Sequence, residues 1–304
     1  MSILILAGAA LLPPLILCIY VFCKDRVEKE PIKLLLGLLA MGALSCLPAA
    51  ICGSIFENHL LNPAFSAYFP TAADGALSVS GNLGYFYHFL DAFFGVALFE
   101  EGFKFLFLLW VTKKSKHFNS LFDGMIYAIF VSLGFAALEN ILYVLDGGLG
   151  TALARALLSV PGHMFNAVLM GYYYSQWHVL DKANTIEAQL AAAGVIPPGS
   201  SKYSTAGLKI RCLAIPVLSH GFYDFCLFTG STALILIFLG YVVFLYIHCF
   251  KKIKRMSKAD GLTGDYVAAL VLKKHPALDL QTAAMVLAQT DSSPAPDSAD
   301  PIVL

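Results

Sequence analysis

Seven apolar runs, each about 20 residues long, divide this chain, at about 3–23, 33–55, 84–111, 121–145, 151–178, 210–229 and 231–250. At a helical rise of about 1.5 Å per residue, such a run covers a hydrocarbon core roughly 30 Å thick. The runs are rich in Leu, Ala and Phe and lack the alternation of a membrane barrel strand. A segment surrounded by lipid satisfies its own backbone only as a helix. The fold class expected is therefore all-α, a polytopic bundle of about seven transmembrane helices. Composition agrees, because 58% of the 304 residues are hydrophobic and only 13% are charged, with a mean hydropathy of +0.73, outside the balance of soluble domains. A formal net charge of zero leaves no basic surface for nucleic acid. The expected surroundings are the lipid bilayer.

Lys and Arg set the expected orientation, since short basic loops stay cytoplasmic. Lys24, Arg26 and Lys29 follow the first run, Lys113, Lys114 and Lys116 the third, Lys182 and Lys202 the fifth, and Lys251, Lys252, Lys254 and Arg255 the seventh. Between Phe56 and Tyr85 there is no Lys or Arg, and Arg155 is the exception, read as snorkelling outward. The N-terminus is thus expected outside and the C-terminus in the cytoplasm. The first run, MSILILAG onward, has no basic lead and carries Pro13-Pro14 where a small-residue cleavage site would stand, so it reads as an anchor. All seven cysteines lie in or beside apolar runs with no CxxC pair, and read as small buried hydrophobes. Residues 1–250 read as one transmembrane domain and 251–304 as a cytoplasmic tail. In that tail 266–288 could form small helices, and Thr290–Pro301, rich in Ser, Asp, Pro and Ala, reads as disordered. Ala183–Ala193 reads as a solvated linker rather than a helix.

Ionisable side chains inside a span are costly, about 2.5–3.5 kcal/mol each on insertion scales, so each one is a functional candidate. Glu100, Glu101 and Lys104 lie in the third run, Glu139 and Asn140 in the fourth, His163 in the fifth, and His220 and Asp224 in the sixth. Glu100 and Lys104, four apart, share a helix face, while Glu101 points about 100° away. His220 and Asp224 are also four apart, which lets the carboxylate orient the imidazole. A buried ion pair, a helix–helix hydrogen bond or a satisfied His would account for any one of these groups alone. Four such clusters in one bundle point instead to chemistry. Gly95, Gly102, Gly134, Gly162, Gly171 and Gly221 stand beside the charges and are expected to let the helices approach closely around one cavity. Counted along ideal helices, His163 and His220 fall near mid-span and Glu139 about 9 Å toward the outside, so the two Glu motifs look misaligned.

These residues resemble the PrsW family of intramembrane proteases. The resemblance rests on an EExxK motif at Glu100–Lys104, a FxxxE-N motif at Phe135–Asn140, an HGxYD-like motif at His220–Asp224, and the loop DRVEKEP at Asp25–Pro31. It spans about residues 1–250. That family is similar to the CAAX-prenyl-protease superfamily, from whose EExxxR and FxxxH motifs this sequence departs at Lys104 and Glu139, and the resemblance implies that His163 supplies the missing imidazole. It also implies cleavage of a membrane-anchored protein, of the kind typified by an anti-sigma factor. In this reading Glu100 or Glu101 activates water and Glu139, His163, His220 and Asp224 complete the catalytic set, with Lys104 and Asn140 in support. A non-catalytic scaffold of the same fold and a proton-coupled transporter are the competing readings. The cofactor is none or a divalent metal such as zinc, with His163, His220 and Glu139 as possible ligands. The absence of HExxH spacing and the displaced Glu139 favour a metal-free glutamic site.

Overall fold

A computed structural model describes residues 3–72, 76–199 and 202–278. Its order is α1 (Ile3–Phe22), α2 (Ile32–Phe56), a π-helical turn Glu57–Leu61, α3 (Asn62–Phe65), α4 (Gly81–Leu90), a π-helical stretch Asp91–Ala97, and α5 (Leu98–Thr112). Then follow α6 (Asp123–Leu157), α7 (Ser159–Ala192), α8 (Ala206–Phe228), α9 (Thr232–Lys258) and α10 (Thr263–Lys274). No strand occurs among the described residues, and the chain is a polytopic helical membrane bundle. Among the described residues, five helical stretches are long and apolar enough to cross a membrane, of which Asp123–Ala192 comprises both α6 and α7. Gly81–Thr112, interrupted by charge, supplies a further continuous helical stretch.

α6 is the axis of the bundle. Every side chain from Leu121 to Ala136 is buried, as expected of a helix that is apolar all round. It packs on α1, α2 and α7. Close approach rests on glycine: a Cβ at Gly134 would lie 2.1 Å from the Leu39 carbonyl oxygen of α2, and one at Gly171 2.6 Å from Met125 Cα. Gly102 has nothing within 4 Å, so its expected packing role is not found.

α6 breaks at Gly148, where φ is +73°, a conformation open to glycine and costly for other residues. The chain then returns as α7, antiparallel to α6, with Gly124 against Ser175 and Glu139 against His163. α7 begins at Ser159 rather than 151 and continues to Ala192, so Ala183–Ala193 is not a linker. The extension is helical because it is packed: Asn184 exchanges two hydrogen bonds with the Tyr203 backbone, and Lys274 of α10 pairs with Glu187. Gly194, at φ +72°, ends it. Of the region 266–288, the part to Lys274 lies in α10; 279–304, including Thr290–Pro301, lies outside the described residues. Five cysteines are buried as expected, while Cys52 is half-buried and Cys23 exposed at the end of α1.

At the end of the bundle that carries the Lys/Arg-rich loops, three segments interlock. Leu121 N–H donates to Gly261 O, Thr263 N–H to Asn119 O, and Phe122 N–H to Asp260 Oδ1. Ser257 Oγ reaches Lys24 O. Beneath this clasp lie Asp25, Glu30 and Asp123, all buried.

Candidate active site

The charged residues of the separate spans meet at one place. The π-helical stretch Asp91–Ala97 re-phases the helix just before Glu100, as an extra residue per turn must. Gly221 allows α8 to close on Phe93 of that stretch. Glu100, Glu101 and Lys104 thereby face α8 and α7. Lys104 Nζ lies 2.8 Å from Glu101 Oε1, 3.3 Å from Glu100 Oε2 and 3.0 Å from His163 Nδ1, and 4.0 Å from the centre of the Phe135 ring. Both Lys104 and Glu101 are fully enclosed.

Partners assign the imidazole protons. An ammonium only donates, so His163 Nδ1 accepts from Lys104 and its Nε2–H donates to Glu139 Oε2 at 2.8 Å. His220 Nδ1–H donates to Glu101 Oε1 at 2.9 Å. Its Nε2 then faces Asp224 Oδ2 at 3.3 Å and Glu100 Oε2 at 3.9 Å, an approach of acceptors unless a proton or a cation lies between them. Asp224 was expected to orient this ring; Glu101 holds it from the opposite nitrogen. Asn140 donates to Ala10 O and fastens α6 to α1.

Arg155 is the residue that sequence reasoning missed. Rather than snorkelling, it donates from Nη2 to Glu139 Oε2 at 2.7 Å and from Nε to Asn140 Oδ1 at 2.8 Å, and lies over the Tyr143 ring. Its isolation in a loop poor in basic residues was the available signal. The apparent misalignment of Glu139 also disappears, because His163 sits in the second turn of α7 rather than at mid-span.

These groups line a cavity of about 340 Å³. Glu100, Glu139, His163, His220 and Asp224 line it together with Arg155, Leu158, Leu227 and Phe228. Leu227 and Phe228, 41% and 38% exposed at the C-terminal end of α8, mark its mouth. Glu101 and Lys104 do not line it.

Charge bears on the metal question. Four carboxylates, Glu100, Glu101, Glu139 and Asp224, meet two permanent cations, Lys104 and Arg155. Neutralising the remaining two negative charges at membrane depth takes two bound protons or one divalent cation. Glu100, His163 and His220 can each offer a ligand atom within 4.8 Å of the others. A carboxylate with two imidazoles is a donor set found in catalytic zinc sites. The residue types fit a divalent ion, with Glu100 in the place expected for Glu139, and His163 joins them by giving up its Nδ1 bond to Lys104 while Nε2–H stays on Glu139.

A family model described as "PrsW family intramembrane metalloprotease" matches residues 30–248. A protein named Protease PrsW from Oceanobacillus iheyensis is 31% identical over 251 residues, 83% of this chain and 95% of its own length. Proteins of the same name from Geobacillus kaustophilus and Bacillus subtilis are 35% identical over 57% of this chain and 66% of their own length, and 29% identical over 82% and 94%. No solved structure matches.

Proposed function

Because this chain belongs to the PrsW family of intramembrane metalloproteases, we propose that it hydrolyses a peptide bond of a membrane-anchored protein, of the anti-sigma-factor kind, with a water activated at Glu100. Its setting is a bacterial cell membrane, which it crosses several times. The observation that carries the proposal is the convergence of Glu100, His163 and His220 from three helices on one cavity.

Each residue has a task. Glu100 accepts a proton as the water oxygen attacks the scissile carbonyl carbon, and returns it to the amine when the C–N bond breaks, leaving a carboxylate and an amine. His220, held through Nδ1–H by Glu101, donates to the oxygen that becomes negative when its Nε2 also carries a proton, the one shared with Asp224. Glu139 keeps His163 turned into the cavity, and Arg155 balances Glu139. Lys104 holds both carboxylates of the pair in place. In place of the proton shared by His220 and Asp224, a divalent ion would be held by Glu100, His220 Nε2 and His163, the last only after Lys104 leaves its Nδ1, and when bound would supply Lewis-acid polarisation of a carbonyl and a more acidic water. Loading zinc into metal-free protein is expected to bind about one equivalent and release protons, since metal ligands must be deprotonated. A titration showing no binding would remove the ion from this account.

The test uses a bacterial single-pass anti-sigma factor co-reconstituted with the protein in vesicles. Wild type is expected to cleave it; Glu100→Gln and His220→Ala are expected to abolish cleavage while remaining inserted and folded, and Glu139→Gln to cripple it. Wild-type turnover by all three would refute the assignment.

A further inference from the structure

We infer that the apolar groove between α7, α8 and α9 receives the transmembrane segment of the substrate and passes it between α7 and α8 into the catalytic cavity. The inference rests on the cavity being the peptidase site, as read above, and concerns a different surface. The groove, about 390 Å³, is formed by Leu169 of α7, Leu218, Ser219 and Phe222 of α8, and Tyr241 and Phe244 of α9. Leu218 and Phe244 are 58% and 55% exposed at its rim, at the depth of the spans, so what fills it must be apolar.

α8 is the wall shared by groove and cavity. Leu218, Ser219 and Phe222 face the groove, while His220, Tyr223 and Asp224 face the cavity. Polar groups run through that wall. Tyr241 Oη donates to Ser219 Oγ at 2.8 Å, Ser219 Oγ donates to Asn166 Oδ1 at 2.7 Å, and Asn166 lines the cavity. An acyl chain has no use for such a path. A helix about to be cut does, because the bond to be cut must leave its helix. The N–H and C=O groups so released find no water in hydrocarbon and need partners supplied by protein. Tyr241, Ser219 and Asn166 offer a hydroxyl, a hydroxyl and an amide in sequence from the groove to the lining of the cavity. The Ser219–Asn166 bond closes the passage in this structure, and a substrate peptide group replaces it.

Two measurements on the full chain test this. A photo-crosslinker at Leu218 or Phe244 of the Glu100→Gln protein, reconstituted with the same anti-sigma factor, is expected to capture that protein's membrane span. One at Leu36, on the lipid-exposed face of α2, is expected not to. Capture of lipid alone at Leu218 and Phe244, or equal capture at Leu36, overturns the proposal. In the second measurement Leu169→Trp and Leu218→Trp fill the groove. They are expected to lower cleavage of the membrane-anchored substrate by at least about tenfold, while hydrolysis of a short water-soluble peptide with the same scissile sequence, entering by the cavity mouth, stays within about twofold. Equal loss on both substrates, or no loss on either, contradicts the groove. Failure of wild type to cut either substrate instead contradicts the reading of the cavity itself.

Discussion

Glu100 and Glu101 are neighbours in sequence in opposite surroundings. Glu101 is enclosed and bonded to Lys104 and His220, whereas Glu100, 15% exposed, meets the cavity. Glu101→Ala leaves a buried ammonium short of its nearest carboxylate, so it is expected to destabilise the fold by about 3–5 kcal/mol. Glu100→Gln keeps volume and hydrogen bonding, and is expected to leave the unfolding midpoint nearly unchanged while lowering kcat by about 10²–10⁴. Thermal unfolding in detergent beside a cleavage assay separates the two; the reverse pattern would exchange the roles. Spacing showed that the two carboxylates point apart, but which one faces a cavity depends on α7 and α8. Arg155 was legible only as an oddity, because its partners Glu139 and Asn140 lie across the Gly148 break.

Elements are held by features that residue patterns reveal unevenly. Run lengths place the limits of α1 and α2 and the start of α9 to within a few residues, since lipid thickness dictates them. The break after the fourth run falls at Gly148, inside the expected gap of 146–150, but a short helical piece to Leu157 intervenes before α7 begins at Ser159, which hydropathy does not reveal because that piece is apolar too. The glycine expectations divide the same way. Gly134→Leu is expected to cost about 1–3 kcal/mol through overpacking against α2, and Gly102→Leu, which meets open space, close to nothing. Equal effects would contradict the α2–α6 packing. The clasp at the Lys/Arg-rich end has a pH dependence of its own. Burial pushes the Glu30 carboxyl from its ordinary 4.5 up to about 7, helped by Asp25 and Glu28 and opposed by bonds to Tyr127 and Asp123. Asp260 is likewise pushed up to about 6 by burial. A proton held more tightly in the folded state adds stability that is complete below the ordinary value and is lost as pH rises through the folded value. Unfolding midpoints are therefore expected to fall between about pH 5 and pH 8, with a shallower fall in Glu30→Gln. A midpoint that rises over that range would contradict it.

For the whole molecule, membrane residence and family were legible because both are written along the chain, one in apolar length and the other in four ordered motifs. The donor set of the site was not, since it is a meeting of three helices; the sequence favoured a metal-free arrangement with Glu139 near the imidazoles, and the fold brings Glu100 to them as well. Orientation rests on Lys and Arg alone. In a cysteine-free background, a Cys at Ser78 is expected to react with an impermeant thiol reagent on intact cells and one at Ser115 only after permeabilisation; the reverse would invert the bundle. If the cavity cuts inside a membrane-anchored chain, mapping the new termini of the reconstituted anti-sigma factor by mass spectrometry is expected to find a cut within or at the border of its membrane span, made by wild type and absent with Glu100→Gln. A cut confined to the soluble domain, or one that persists with Glu100→Gln, would contradict it.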